Sequence, residues 1–171
     1  MEEYEYSFEV DEIEPYIEYC EKNSYELHKS NTQKRIVYEN FYNKNVLARI
    51  TTEIENNNEI TKIDFKNVTK NEKILKVSNE SIPMLITSEN IAVVESILEV
   101  LRFIKVSELK RKRYIYKKNN VKFEIDKYIE PIMNVVAIEG EKSSVDSVYK
   151  KIKDSKNIGE PKEWYMWILM V

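Results

Sequence analysis

Residues 3–10 read EYEYSFEV, a strict alternation of acids with aromatic and aliphatic residues broken only at Ser7. Glu3, Glu5 and Glu9 fall on one face of a strand, with Tyr4, Tyr6, Phe8 and Val10 on the other. Neighbours on one face sit roughly 7 Å apart, at about 3.3 Å of rise per residue. Repulsion between such carboxylates is under about 1 kcal/mol per pair in water, and about 2 kcal/mol at an effective dielectric near 20. A wet outer strand tolerates the row at almost no cost. A strand lining a closed barrel needs cations opposite it.

At 171 residues the chain is long enough for one domain with a real core, and a single domain over 1–171 is expected. One third of the residues are charged, the net charge is −3 and there are twelve tyrosines. That profile is globular, and it lacks the basic excess of a general nucleic-acid binder. Cys20 is the only cysteine, so no internal disulfide forms and a reducing cytoplasm is expected. The acidic start, from Glu2 onward, argues against a secretory signal. The longest apolar run, WYMWILMV at 164–171, is too short for a bilayer and is expected to be a buried final strand or short helix.

Scarce residues exclude whole classes of site. The only glycines are Gly140 and Gly159, so no glycine-rich loop can cradle phosphate on backbone amides. His28 is the lone histidine, in the polar stretch YELHKSNTQK, and is expected at the surface rather than as a general base. No zinc cluster of cysteine and histidine can be assembled. Any chemistry must use carboxylates, Lys, Arg, Tyr and a hard cation.

The pattern along the chain predicts a strand over 3–10 and a helix in DEIEPYIEYCEKN, capped by Asp11, with Ile13, Ile17 and Cys20 on one face. Strands are predicted in QKRIVYENFY, NVLARITTEI and EITKIDFKNV, with a turn at residues 56–58 and a weaker strand in KILKVS. SENIAVVESILEVLRFI predicts a helix capped by Ser88, with an apolar stripe of Ile91, Val94, Ile97, Leu98 and Leu101. A three-stranded meander follows in VSELKRKRYIYKK, VKFEIDKYI and MNVVAIEGE, then a capped helix in SSVDSVYKKIKD. The order is α+β with a largely antiparallel sheet, with too many strands for a small flat sheet to hide both faces.

Charge recurs on one face of several strands. Arg111 and Arg113 share a face in LKRKRYIY; Lys122, Glu124 and Asp126 share one in VKFEID; Ala137 and Glu139 share one in VVAIEG. Arg49 and Lys66 add cations on earlier strands. If the sheet closes with its apolar faces outward under the helices, these charges line a wet channel. Arg and Lys there would bind phosphate oxygens, and clustered carboxylates would hold Mg²⁺ or Mn²⁺. An ordinary sandwich with solvated charged faces has the same alternation.

The order of these motifs resembles the CYTH superfamily, the triphosphate tunnel metalloenzymes, which include class IV adenylate cyclases and thiamine triphosphatases. Glu3, Glu5, Phe8 and Val10 match the family's opening Glu-x-Glu-x-Lys strand, and Arg111, Arg113 and Tyr116 match its Lys/Arg-x-Arg segment with a following aromatic. Asp126 matches an acid ending the next strand, Glu139 the second acid of a Glu-x-Glu-Gly segment, and Arg49 one of two arginines in an earlier one. EPKEWYMWIL is similar to the family's ending.

The resemblance implies a closed eight-stranded antiparallel tunnel, flanked by helices, that binds a triphosphate-containing small molecule such as a nucleotide, thiamine triphosphate or tripolyphosphate. Glu3, Glu5, Asp126 and Glu139 would be metal ligands, with Glu124 as an alternative to Asp126. Arg49, Lys66, Arg111 and Arg113 would face the phosphates. Glu5, Arg113 and Glu139 would be catalytic in metal-assisted attack at phosphorus, by water or, as in the cyclases, by a ribose hydroxyl. No nucleic-acid or membrane partner is expected, and a homodimer is left open. Ser7 stands where the family has its signature lysine and Ala137 where it has an acid. Loss of one electrostatic stabiliser can cost about 10²–10³ in rate, so a weak enzyme, one with an unusual substrate and a binder without turnover are the alternatives, with Glu9 or Glu141 as an acid that could compensate.

Overall fold

A computed structural model describes residues 2–72 and 74–155. The apolar ending and the segment around Pro161 lie outside the described residues. The first half runs β1 (Glu2–Val10), α1 (Glu14–Lys22), β2 (Glu26–Asn40), β3 (Val46–Glu55), β4 (Asn58–Glu72), β5 (Leu75–Glu80) and β6 (Met84–Ile86). The second half runs α2 (Ile91–Val100), β7 (Phe103–Lys118), β8 (Val121–Glu130), β9 (Met133–Gly140) and α3 (Lys142–Lys153).

The strands pair in the order β3-β2-β7-β8-β9-β1-β5-β4, and β4 pairs with β3 to close the ring. Every pairing is antiparallel. The result is a closed eight-stranded antiparallel barrel, with β6 as a short extra strand beside β4. Eight strands leave an interior just wide enough for side chains or one small ligand.

Period-2 alternation sorts the side chains. On β1 Phe8 and Val10 point outward, where they pack with Tyr16 and Cys20 of α1, Val145 and Ile152 of α3, and Phe123 and Val136 of the neighbouring strands. A second outer cluster joins Tyr38, Ala48, Ile50 and Ile63 to Val94 and Leu98 of α2. The apolar faces are thus covered by helices, and the charged faces turn into the barrel. The closed arrangement holds, not the solvated sandwich.

Local differences from the sequence reading have local causes. Asp11 does not cap α1: the N-cap is Ile13, and Pro15 fixes φ in the first turn, which begins at Glu14. Ser88 does not cap α2 either, since Asn90 holds that place without a side-chain bond. α3 starts at Lys142, with Glu141 at the N-cap place making no side-chain bond. α2 stops at Val100, and Arg102 at φ 61° turns the chain into β7, so Phe103 and Ile104 are strand rather than helix. The polar stretch around His28 is also strand, part of β2, and His28 is exposed. Asn56 and Asn57, at φ 49° and 64°, make the β3–β4 turn. No described helix is long and apolar enough to cross a membrane.

Candidate functional site: a charged bore

One cavity of about 320 Å³ occupies the barrel interior. Its lining contains all the residues singled out above: Glu3, Glu5, Asp126 and Glu139, with Glu124, and Arg49, Lys66, Arg111 and Arg113. Distant segments of sequence converge because each contributes alternate residues to the inner face. Glu9 and Glu141 are not in the lining, and Glu141 is exposed at the start of α3.

Exposure runs from mouth to depth. Around the mouth the side chains of Glu3, Lys29, Lys62 and Lys122 are about three-tenths exposed. Deeper, Lys66, Arg111 and Asp126 are 4%, 3% and 4% exposed. Arg113 grips Asp126 bidentately, with both N···O distances 2.7 Å, and pairs with Glu124 as well. Arg111 donates to Asp126 at 3.2 Å, to the Tyr128 hydroxyl at 2.7 Å and to Gln33 at 2.9 Å. Across the bore Arg49 binds Asp64 at 2.5 Å and Glu80 at 2.9 Å, and Lys66 bridges Glu80 at 3.0 Å and Glu5 at 3.2 Å.

Arg35 belongs to this group although the sequence reading passed over it. It lies on β2 within QKRIVYEN, where Gln33, Arg35 and Val37 alternate inward, and that alternation was the available signal. Its Nε donates to the Thr51 hydroxyl at 3.0 Å. Burial, then repulsion from Arg111, Arg49 and Arg113, presses its pKa down to about 9. At neutral pH the guanidinium keeps its proton, so four crowded guanidiniums share the interior and an anion among them would relieve their repulsion. Asn31, opposite Arg113 in register, has both amide atoms buried with no hydrogen-bond partner among the described residues, although it is not part of the cavity lining.

The acids do not behave alike. Burial raises the Glu5 pKa, but Lys66 and Lys76 outweigh it and hold it at about 2. Lys76 sits opposite Glu5 on β5, its Nζ 3.4 Å from that carboxylate, and was another residue the sequence reading missed. Burial and then Glu124 push Glu139 well above the usual carboxylate range, with Lys122 pulling the other way. Glu139 Oε2 lies in ion-pair contact with Lys122 Nζ at the edge of the mouth.

Glu5 and Glu139 are direct cross-strand partners, which places their Cβ atoms about 4.5–5.5 Å apart. Two facing carboxylates with Glu3 and Glu124 nearby fit a hard divalent cation in donor chemistry. Lysines now balance them, and no three acidic, histidine or cysteine side chains converge on one point among the described residues. Asp126 fits less well, since Arg113 and Arg111 already hold its oxygens. Ser7 and Ala137 are also direct cross-strand partners. The lysine and the acid that the resemblance leads one to expect at those two places would therefore have been one facing pair.

No family model matches the sequence, and no curated protein matches it by sequence. Solved structures do match. The PH1012 protein of Pyrococcus horikoshii OT3 superposes with a TM-score of 0.74 at 20% identity, over 99% of this chain and 99% of that chain. HpAC1 from Hippeastrum, a candidate adenylyl cyclase with a dominant triphosphatase activity, gives 0.67 at 13% identity, over 98% and 93%. A candidate adenylate cyclase from Vibrio parahaemolyticus gives 0.63 at 11%, over 99% and 98%. At these identities the likeness is one of fold: the chain shares the closed barrel of proteins of adenylate cyclase and triphosphatase type.

Proposed function

We propose that the protein binds the phosphate chain of a nucleoside or other organic triphosphate inside the barrel and hydrolyses it with the help of Mg²⁺ or Mn²⁺. The observation that carries this reading is the crowding of Arg35, Arg49, Arg111 and Arg113 in one small cavity. The planar guanidinium fork matches phosphate as it matches carboxylate, so Asp126, Asp64 and Glu80 now occupy places phosphate oxygens can take. The lining holds nine Lys and Arg against eight Asp and Glu, so a polyanion entering alone must displace carboxylates. A divalent ion at Glu5 and Glu139 would supply neutralisation of charge on the phosphate oxygens.

The chain's own residues have separable tasks. Arg111 and Arg113 orient the phosphate chain, and Lys66 and Arg49 face it from the opposite wall. Glu5 and Glu139 would hold the divalent ion, whose charge would replace the proton that Glu139's surroundings favour in the free protein. The triphosphatase activity of HpAC1 supports hydrolysis as the reaction. A protein acting on such a metabolite is expected in the cytoplasm.

Binding without turnover is the second reading, favoured by the joint absence of charge at Ser7 and Ala137. Phosphate release from ATP, thiamine triphosphate and tripolyphosphate, measured with Mg²⁺ or Mn²⁺, separates the two. Release supports the hydrolase; a metal-dependent rise in Tm with tripolyphosphate but no release supports the binder. The variant carrying both Ser7→Lys and Ala137→Glu is expected to raise either signal above each single substitution, which puts an unpartnered charge in a buried place. Neither binding nor release in any of these proteins would end the proposal.

A further inference from the structure

The inward faces of the strands are not charged along their whole length. Val37, Leu47, Val68, Leu109, Tyr128 and Val135 occupy inward positions on six of the eight barrel strands and pack together as one buried cluster. Their parity is that of the charged lining: Val37 continues Gln33 and Arg35, Leu47 precedes Arg49, and Leu109 precedes Arg111. The direction is consistent too. Leu109 lies eight residues from Lys117 at the mouth, roughly 26 Å of strand at about 3.3 Å per residue. Tyr128 and Val135 belong both to this cluster and to the cavity wall. They form a floor.

We infer that the bore is a blind cup that recognises the free end of a phosphate chain, and that it admits neither the interior of a long polyphosphate nor a chain capped at both ends. This rests on the reading of the cavity as a phosphate site. Passing an ionised chain through an apolar floor would strip its charges of water without partners, which is costly. The chain must therefore enter and leave by one mouth, with one terminus leading. A terminal phosphate carries nearly two negative charges at neutral pH, its second pKa being about 6. A pair of arginines lies beside the floor: Arg111 reaches the hydroxyl of the floor residue Tyr128 and shares Asp126 with Arg113. The doubly charged end belongs there, and whatever the other end carries is left at the mouth among Lys29, Lys62 and Lys122. Selectivity then lies in the free terminus more than in the organic group.

Competition calorimetry with Mg²⁺ present tests this with three probes. Tripolyphosphate and ATP each have a free end, and a dinucleoside tetraphosphate has none. The expected result is mutual displacement of the first two and binding of the third at least about tenfold weaker. With a long linear polyphosphate of defined length, the protein bound per chain should stop at one molecule per end, and tripolyphosphate should displace it. Equal binding of the capped compound, or a bound amount that grows with chain length, would overturn the inference while leaving the phosphate site intact. If no probe binds, both readings fall.

Discussion

Glu5 and Glu139 face one another across β1 and β9, yet their surroundings push them apart in proton affinity. Glu5 is the anion that keeps Lys66 and Lys76 together in a buried place. Replacing it by Gln leaves those cations repelling, so Glu5→Gln should destabilise the protein by about 3 kcal/mol at neutral pH. Glu139 has the opposite sign. Its folded pKa is raised, so its contribution is present below the unfolded value near 4.5 and is lost as pH rises through the folded one. Glutamine mimics the protonated form, and Lys122 keeps Glu124 and Glu3 as partners. Glu139→Gln should therefore stabilise the unliganded protein by about 1 kcal/mol at neutral pH, a gain that shrinks at pH 4. Urea unfolding of both variants at the two pH values checks this, and equal signs would contradict the account. Residue by residue, the acids were legible because they alternate in short runs. Lys76 was not, because a single polar residue in a strand does not say whether it faces water or a bore, and the alternation of Gln33 and Arg35 carries no acid to mark its face as the inner one.

The helices show what an apolar stripe can and cannot tell. Ile91, Val94, Ile97, Leu98 and Leu101 recur at helical spacing, but α2 buries only Val94 and Leu98 fully. Ile97 and Leu101 are each 52% exposed. A helix laid on the convex wall of a barrel touches it along a narrow strip, so the flanks of a broad stripe stay outside. The contrast is measurable. Leu98→Ala should cost about 2–5 kcal/mol of unfolding free energy, while Ile97→Ala should stay within about 1 kcal/mol. Similar losses for both would mean that the stripe is covered more widely than the described residues show. Strand existence was legible from alternation, and so was the meander of β7, β8 and β9. The β3–β4 pairing that closes the ring completes a circuit that no single strand encodes. β6, three residues long, is too short for period-2 alternation to mark.

At the scale of the molecule, the barrel trades hydrophobic filling for a paired ionic interior, and this should make it sensitive to acid. Glu5 and Glu80 are each held at about 2 against an ordinary 4.5, in both cases because neighbouring cations outweigh burial. Burial raises Glu124 too, but Arg113 and Lys122 carry it well below the usual range. A carboxyl whose folded pKa is depressed adds stability above its unfolded pKa and loses it as pH falls through the folded value. Burial is outweighed at Glu53 as well, where Lys29 and Lys62 lower the pKa. Four interior acids act in that direction and Glu139 acts against them, so stability should fall on the order of a few kcal/mol as pH drops from 4.5 toward 2. Because the pairs are buried, added salt should change this little. A bound phosphate chain should change it more, since it offers the arginines an anion that stays charged when the carboxylates protonate. Tm followed through that pH window, at low and high salt and with and without tripolyphosphate, tests each part. A Tm that stays flat on acidification would mean that the interior ion pairs contribute nothing to the fold. A fall that high salt abolishes would place the responsible charges on the outer surface instead of in the bore.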